Sequence, residues 1–355
     1  MPFFLWPYFV LAGTFAIGAW ALPRSAWAWA RDGIGLGFLL WWDPRSAALL
    51  VGVGALSWLG ARRASRSAAV FWAGLLAFGG AFVALRLAQR KAGLDALLAP
   101  AGFGFATLRL IHYWIERSRG SLPEHRLRDV LGWLLYFPNV LVGPVQRFDD
   151  WMRWERRRRW DEADTARGLR RVLYGYVKVV VLSFWAVGAE LPQHLLWLPP
   201  SVGGTLVGAG TLYLTFSGLS DVAIGLGLLG GQRLPENFDA PWLKTDLPAF
   251  WRSWHMSVSA WCRTYVYLPM LSRTRSSRAA AASAMAVFAL WHELSVAYLA
   301  WGAWQGVGLG LWYRLAPKEL RPGWKPVGWA LTTGWILVGF WILRVWPRGD
   351  AWYAR

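Results

Sequence analysis

Apolar stretches recur from one end of this chain to the other, and that recurrence leaves few folds open. Of its 355 residues, 56% are hydrophobic and only 16% are charged. A soluble domain averages roughly 45–50% apolar and about 25% charged residues. In lipid every backbone N–H and C=O must be satisfied within the protein, so only helices and closed barrels span a membrane. The long runs here lack the period-two alternation of a barrel strand. The expected class is therefore an all-α polytopic membrane protein. A crossing needs about 20 mostly apolar residues. Candidate segments are residues 3–21, 68–85, 97–115, 130–145, 172–188, 203–229, 279–291, 297–312 and 327–343, with 47–60 marginal and 34–42 short enough to be interfacial or re-entrant. That predicts roughly nine to eleven membrane segments, some too short or polar to cross alone. With no internal repeat, linker or soluble segment, the expectation is one domain, 1–355.

The net charge of +18 raises the question of nucleic acid, but the arginines lie between apolar runs. That placement fits loops held by an anionic membrane surface and the positive-inside rule, and nucleic acid is not an expected partner. The most basic segment, 147–171, includes Arg156, Arg157, Arg158 and Arg159 and reads as a solvated cytoplasmic loop. Residues 190–203 carry no lysine or arginine, which places them outside. The single cysteine, Cys262, excludes an internal disulfide and a multi-cysteine metal site. The first 22 residues lack a basic start and a small-residue cleavage site, so they read as a first membrane helix and not as a removable leader.

Four polar clusters interrupt the apolar background. Tyr136-Phe137-Pro138-Asn139 leads into Val142-Gly143-Pro144-Val145-Gln146-Arg147-Phe148, where Gly-Pro breaks a helix. Phe216-Ser217-Gly218-Leu219-Ser220-Asp221 puts a carboxylate in an apolar helix. An acid at membrane depth costs a few kcal/mol and faces a partner or an aqueous cavity, so a salt bridge and a site role are both open for Asp221. Leu234-Pro235-Glu236-Asn237-Phe238-Asp239-Ala240-Pro241-Trp242 reads as a rigid turn that determines a loop fold. The fourth cluster holds two Trp-His pairs, Trp254-His255 and Trp291-His292. The other histidines have bland readings: His112 as a helix-face polar group, His125 as a loop residue and His194 as an interfacial one. By itself His292 is as readily a structural hydrogen-bonding residue as a catalyst.

The clusters together carry a specific resemblance. Phe250-Trp251-Arg252-Ser253-Trp254-His255-Met256-Ser257-Val258-Ser259 resembles the F-W-x-x-W-H-x-S-x-S signature of the membrane-bound O-acyltransferase family, in its bacterial branch. Leu290-Trp291-His292 followed by Trp301-Gly302-Ala303-Trp304-Gln305-Gly306 resembles its second signature. The earlier clusters match in order, so the resemblance covers about residues 100–310. It departs from the family's usual pattern at Glu293, where W-H-G is common, at Thr264 within Arg263-Thr264-Tyr265, and at Gln305, where a further histidine is common.

The resemblance implies a fold of short, broken and re-entrant helices around a central tunnel. It also implies transfer of an acyl group, acetyl or similarly small, from a thioester to a hydroxyl of an exported polysaccharide, wall polymer or related glycan. Such transfer needs a base as the oxygen attacks, and a neutral histidine, of reference pKa about 6.5, suits that role. His292 is the expected base, with His255 at the same site. Donors toward the developing oxyanion are also required, and Asn237, Arg263, Tyr267 and the indoles of Trp251 or Trp291 are candidates, with Asp221 and Glu293 as further substrate-facing residues.

Direct transfer needs no enzyme nucleophile, and Cys262 lies outside the matched motifs. Two histidines lack the further ligands of a zinc site, and no tightly bound cofactor is expected beyond the acyl thioester, carried on coenzyme A or a phosphopantetheine carrier protein. Other implied partners are membrane lipids, the glycan acceptor and a periplasmic acyltransferase- or esterase-like protein, with the bacterial inner (cytoplasmic) membrane as location. The competing class is a non-catalytic transporter or lipid-binding scaffold that uses the same polar cavity, although transporters more often carry repeats.

Overall fold

The computed structural model describes residues 2–92, 102–157, 161–315 and 322–345. Almost all of them are helical. In order the helices are α1 (Trp6–Ala21), α2 (Arg24–Trp42), α3 (Pro44–Ala64), α4 (Ala68–Ala92), α5 (Phe103–Ser118), α6 (Leu127–Leu134) and α7 (Phe148–Arg157). Then come α8 (Glu162–His194) and α9 (Pro200–Leu229), α10 (Leu247–Ser253), and α11 (Met256–Cys262), which runs on through a π turn, Arg263–Tyr267, into Leu268–Thr274. The last three are α12 (Ser277–His292), α13 (Val296–Leu315) and α14 (Lys325–Val345).

Among the described residues four helices are long and apolar enough to cross a membrane: Ala68–Leu87 within α4, and α8, α9 and α14. These helices and α1 wear an apolar coat. Trp6 and Ile17 on α1, Leu76 on α4 and Leu331 on α14 are each exposed over 70% or more of their surface, the pattern that lipid and not water would cover.

The expected segments shift in informative ways. The 34–42 piece is the second half of a 19-residue helix, because the polar first half, Arg24 to Asp32, buries Arg31 against the half-buried carboxylates of Asp32 and Glu155. The 47–60 piece is extended by Pro44 at its start, with Asp43 capping the Arg45 N–H. Part of the 97–115 segment, residues 97–101, and Arg158 and Arg159 of the basic run lie outside the described residues. The 130–145 segment is not one helix. α6 stops at Leu134, a 3-10 turn follows at Phe137–Asn139, and Gly143 takes a φ of 142°. Pro138 and Pro144 lack the N–H that a continuing helix needs. The 147–171 stretch is largely helical too, being α7 and the start of α8.

The helices form two compact units, residues 1–175 with 219–235, and residues 176–218 with 236–355. The first has an aromatic core in which Phe38 and Phe137 meet at 5.1 Å and Tyr136 and Trp151 at 4.8 Å. There Arg31, only 4% exposed, lies 4.7 Å over the Trp151 ring and pairs with Glu155 at 2.6 Å.

In the second unit α12 and α13 run against each other through small residues. A Cβ on Gly302 would meet the Ala289 Cβ at 2.7 Å and the Met285 carbonyl oxygen at 3.0 Å. Backbone carbonyls do not yield as a side-chain tip would. Gly302→Val is therefore expected to cost about 1–3 kcal/mol of overpacking, read as a lowered thermal midpoint in detergent. An unchanged midpoint would mean that α12 and α13 do not approach this closely.

Candidate active site

The second unit contains the FWRSWH stretch and builds a site from its corner. Asp246 caps α10 by accepting the Ala249 N–H at 2.6 Å, and the helix ends at Ser253. The chain then turns through His255, whose φ of 45° is in the left-handed region. A non-glycine residue held there stores strain that surrounding structure has to over-determine. Here the brace is the LPENFDAPW turn. Its Phe238 forms an antiparallel bridge with Trp254, the Asp239 N–H donates to the Ser253 carbonyl at 3.0 Å and the Met256 N–H to the Asn237 carbonyl at 2.9 Å. His255 then opens α11, its carbonyl accepting the N–H groups of Val258 and Ser259.

Asn237 is fully buried and fixes the imidazole. Its Oδ1 accepts from Ser257 Oγ at 2.7 Å and from the Ser257 N–H at 3.4 Å, and it faces His255 Nδ1 at 3.2 Å. A backbone N–H can only donate, which identifies that amide atom as oxygen. Nδ1 therefore carries a hydrogen, and in the neutral ring Nε2 holds the lone pair. The ring is 1% exposed, with Phe216 edge-on at 4.6 Å.

His292 is the last residue of α12, a helix started by Ser276, which caps the Ala279 N–H. Its ring is half-buried, so it is not sealed in protein. It sits among Trp291 at 4.7 Å, Phe288 at 4.9 Å, Tyr298 stacked at 5.6 Å and Trp301 at 6.2 Å. His255 touches two of the same rings, Trp291 at 5.9 Å and Phe288 at 6.2 Å. Two imidazoles far apart in the sequence are thus held against one aromatic pair, one deeply buried and the other accessible.

The other candidate residues divide. Trp251 joins the cluster, 5.7 Å from Phe288 and 5.8 Å from Trp301, and its buried Nε1 has no hydrogen-bond partner among the described residues. Glu293 follows His292 in extended conformation and is half-buried. Tyr267 hydrogen-bonds Tyr313 and Arg263 is exposed; no ring or hydrogen-bond contact joins either to the cluster among the described residues. Asp221 lies in the first unit, where it pairs with Arg171 at 2.8 Å. Cys262 is buried and free.

His112 and His125 are structural hydrogen-bonding residues of the first unit. His112 Nε2 accepts the Phe148 N–H at 3.0 Å, and His125 lies between the Tyr113 hydroxyl and the Pro123 carbonyl.

Sequence reasoning did not single out Phe288 or Tyr298, and it gave Ser257 and Phe216, which stand within the motif clusters, no role of their own. Phe288 is legible in retrospect, since it stands one helical turn before His292 and shares its face. Tyr298 and Phe216 come from other helices, and nothing local marks Tyr298.

The comparison with known proteins covers parts of both units, the histidine site included. The model of the MBOAT, membrane-bound O-acyltransferase family matches residues 106–318, well over half of the chain. The chain belongs to this family. Among its relatives as a membrane-bound O-acyltransferase family member is a protein named "Probable alginate O-acetylase AlgI" from Pseudomonas aeruginosa, 34% identical over 268 residues, which are 73% of this chain and 51% of that one. A teichoic acid D-alanyltransferase from Streptococcus thermophilus is 27% identical over 74% of this chain and 72% of its own length. A peptidoglycan O-acetyltransferase from Helicobacter pylori is 26% identical over 50% of this chain and 35% of its own. The chain spans about half the length of the alginate O-acetylases it matches. Family membership and the apolar helices together make it a membrane protein.

Proposed function

We propose that the chain is a membrane-embedded O-acyltransferase. In this reading a small acyl group, acetyl above all, passes from a thioester donor to a hydroxyl of an exported polysaccharide or wall polymer, with His292 as general base. The observation that carries it is the pair of histidines on one aromatic platform, of which the half-buried one stands where a substrate can reach it. The names of the three relatives agree on the reaction class and on envelope polymers as acceptors.

The step balances without a metal or a covalent enzyme intermediate. The acceptor hydroxyl gives its proton to the lone pair of His292 as its oxygen attacks the thioester carbonyl. The tetrahedral oxyanion collapses, the C–S bond breaks, and the imidazolium returns the proton to the leaving thiolate. The positive charge that develops on the ring lies at the carboxyl end of a 16-residue helix, where the macrodipole favours a cation. The Trp251 N–H, buried and without an acceptor among the described residues, is the donor we assign to the oxyanion. An unspent donor of this kind is pre-organised for charge that appears only in the transition state. Asn237 holds His255 and Ser257 through its side-chain oxygen and so acts as a positioning residue in this reading.

The donor in this reading is carried on coenzyme A or a phosphopantetheine carrier protein and approaches from the cytoplasmic side. The thioester reaches His292 through a tunnel among nine to eleven membrane segments in the bacterial inner membrane. The chain forms the ester itself, and a periplasmic acyltransferase- or esterase-like partner serves polymer farther from the membrane. The test uses the full chain in proteoliposomes, given radiolabelled acetyl-coenzyme A and an alginate or teichoic acid acceptor. Label in the polymer that mild base releases as acetate supports the reading. Transport of the acceptor with no ester formed would replace it with the transporter class.

A further inference from the structure

The face of α13 that carries Tyr298 and Trp301 continues to Gln305 and Gly308, residues three and four apart that stack into one stripe. Gln305 is only 1% exposed, yet neither its Nε2 nor its Oε1 has a hydrogen-bond partner among the described residues. The Trp335 indole Nε1 on α14 is likewise buried without one. Bare glycines make room for both groups. A methyl on Gly339 would run into Gln305 Nε2 and lie 3.3 Å from Trp301 Nε1, and a methyl on Gly308 would run into Trp335 Nε1. The carboxamide therefore lies beside the Trp301 indole, whose ring is 6.2 Å from His292. Trp335 itself is held firmly, stacked on Trp304 at 3.9 Å, with the Trp304 N–H donating to its carbonyl at 3.0 Å.

Burying a carboxamide with both ends unmatched is costly, and such groups call for a water or a ligand. A secondary amide is the complement of this one, since its C=O takes the Nε2 hydrogens and its N–H gives to Oε1. The distance also fits. Gln305 is seven residues beyond Tyr298, the ring stacked on His292, which is roughly 10 Å along a helix axis. In a pantetheine arm the second amide lies about eight bonds from the thioester carbon, roughly 9 Å at the rise of an extended chain.

We infer that Gln305, supported by the Trp335 N–H, is a specificity-determining residue that binds an amide of the acyl donor's pantetheine-type arm while the thioester rests at His292. This inference rests on the acyltransferase reading above. The amide is recognised in the ground state and in the transition state alike, so its loss should appear in KM and leave kcat nearly unchanged.

The test compares two thioesters on the full chain in detergent: acetyl-pantetheine, which carries both amides, and S-ethyl thioacetate, which carries none. Gln305→Leu is expected to raise KM for acetyl-pantetheine about tenfold, the size of one hydrogen bond lost in a buried site, with kcat within about twofold. The KM for S-ethyl thioacetate should stay at its wild-type value. Trp335→Phe keeps an aromatic side chain and removes the donor, and it should shift the same KM by about threefold; it also decides the question if Gln305→Leu does not fold.

Equal effects on both thioesters, or none on either, would overturn the inference and leave a water-filled or purely structural carboxamide. A shift confined to the KM of the polymer acceptor would overturn it in favour of a hydroxyl ligand. Wild-type protein that transfers acetyl from neither thioester would remove the acyltransferase reading, and this inference with it. Active wild type with an unaltered KM ratio in both variants would remove only the amide.

Discussion

His292→Ala is expected to lower acyl transfer by about 10²–10⁴-fold, the usual contribution of a positioned general base, while the protein still inserts and folds. The separation of these two effects follows from where the ring sits. It is half-buried at the end of α12, so its removal takes away contacts to Phe288, Trp291 and Tyr298 without opening a sealed core. His292→Gln fills more of the space and keeps polarity but cannot take a proton at neutral pH, and it should be as inactive as the alanine variant. The measurement is labelled acetyl entering polymer in proteoliposomes, with the thermal midpoint in detergent as the control. A variant that folds and retains wild-type transfer would refute the general-base role outright.

Asn237→Leu is expected to be the most destabilising single change in the second unit. It removes the acceptor shared by His255 Nδ1, Ser257 Oγ and the Ser257 N–H, all at a site with no solvent to replace it. Each buried donor left unmatched costs about 1–3 kcal/mol, so three together cost about 3–9 kcal/mol, a large part of a typical folding margin. The left-handed corner at His255 loses its brace at the same time. Asn237→Asp keeps the acceptor oxygen and should retain more of the fold than leucine does, which separates the hydrogen bonds from side-chain volume. Thermal midpoints of the two variants in detergent, read beside transfer rates, check this. A leucine variant within about 1 kcal/mol of wild type would show that Oδ1 does not hold the corner together.

Much of this was present in the order of residues. Apolar runs with few charges forced a helical membrane protein, because backbone satisfaction in lipid is a local requirement that composition alone can reveal. The two Trp-His pairs and the clusters before them marked the family, since a motif is a local object too. The Gly-Pro pair at 143–144 was legible as a break, though the distance by which α6 would fall short of it was not.

Only the folded chain decided which histidine is reachable. His255 and His292 carry the same local sequence mark, a preceding tryptophan, yet one is buried under Phe216 and the other is left accessible at a helix end. Asn237 read as a turn residue and a candidate donor, and its hold on His255 spans 18 positions. Asp221 found Arg171 fifty positions back, on another helix. The unmatched carboxamide of Gln305 is invisible without knowing what α14 lays against it. The reason is the same in each case. Periodicity and turn chemistry act over a few residues and are written in order along the chain, whereas burial and hydrogen-bond partnership depend on which distant segments the collapsed helices bring together.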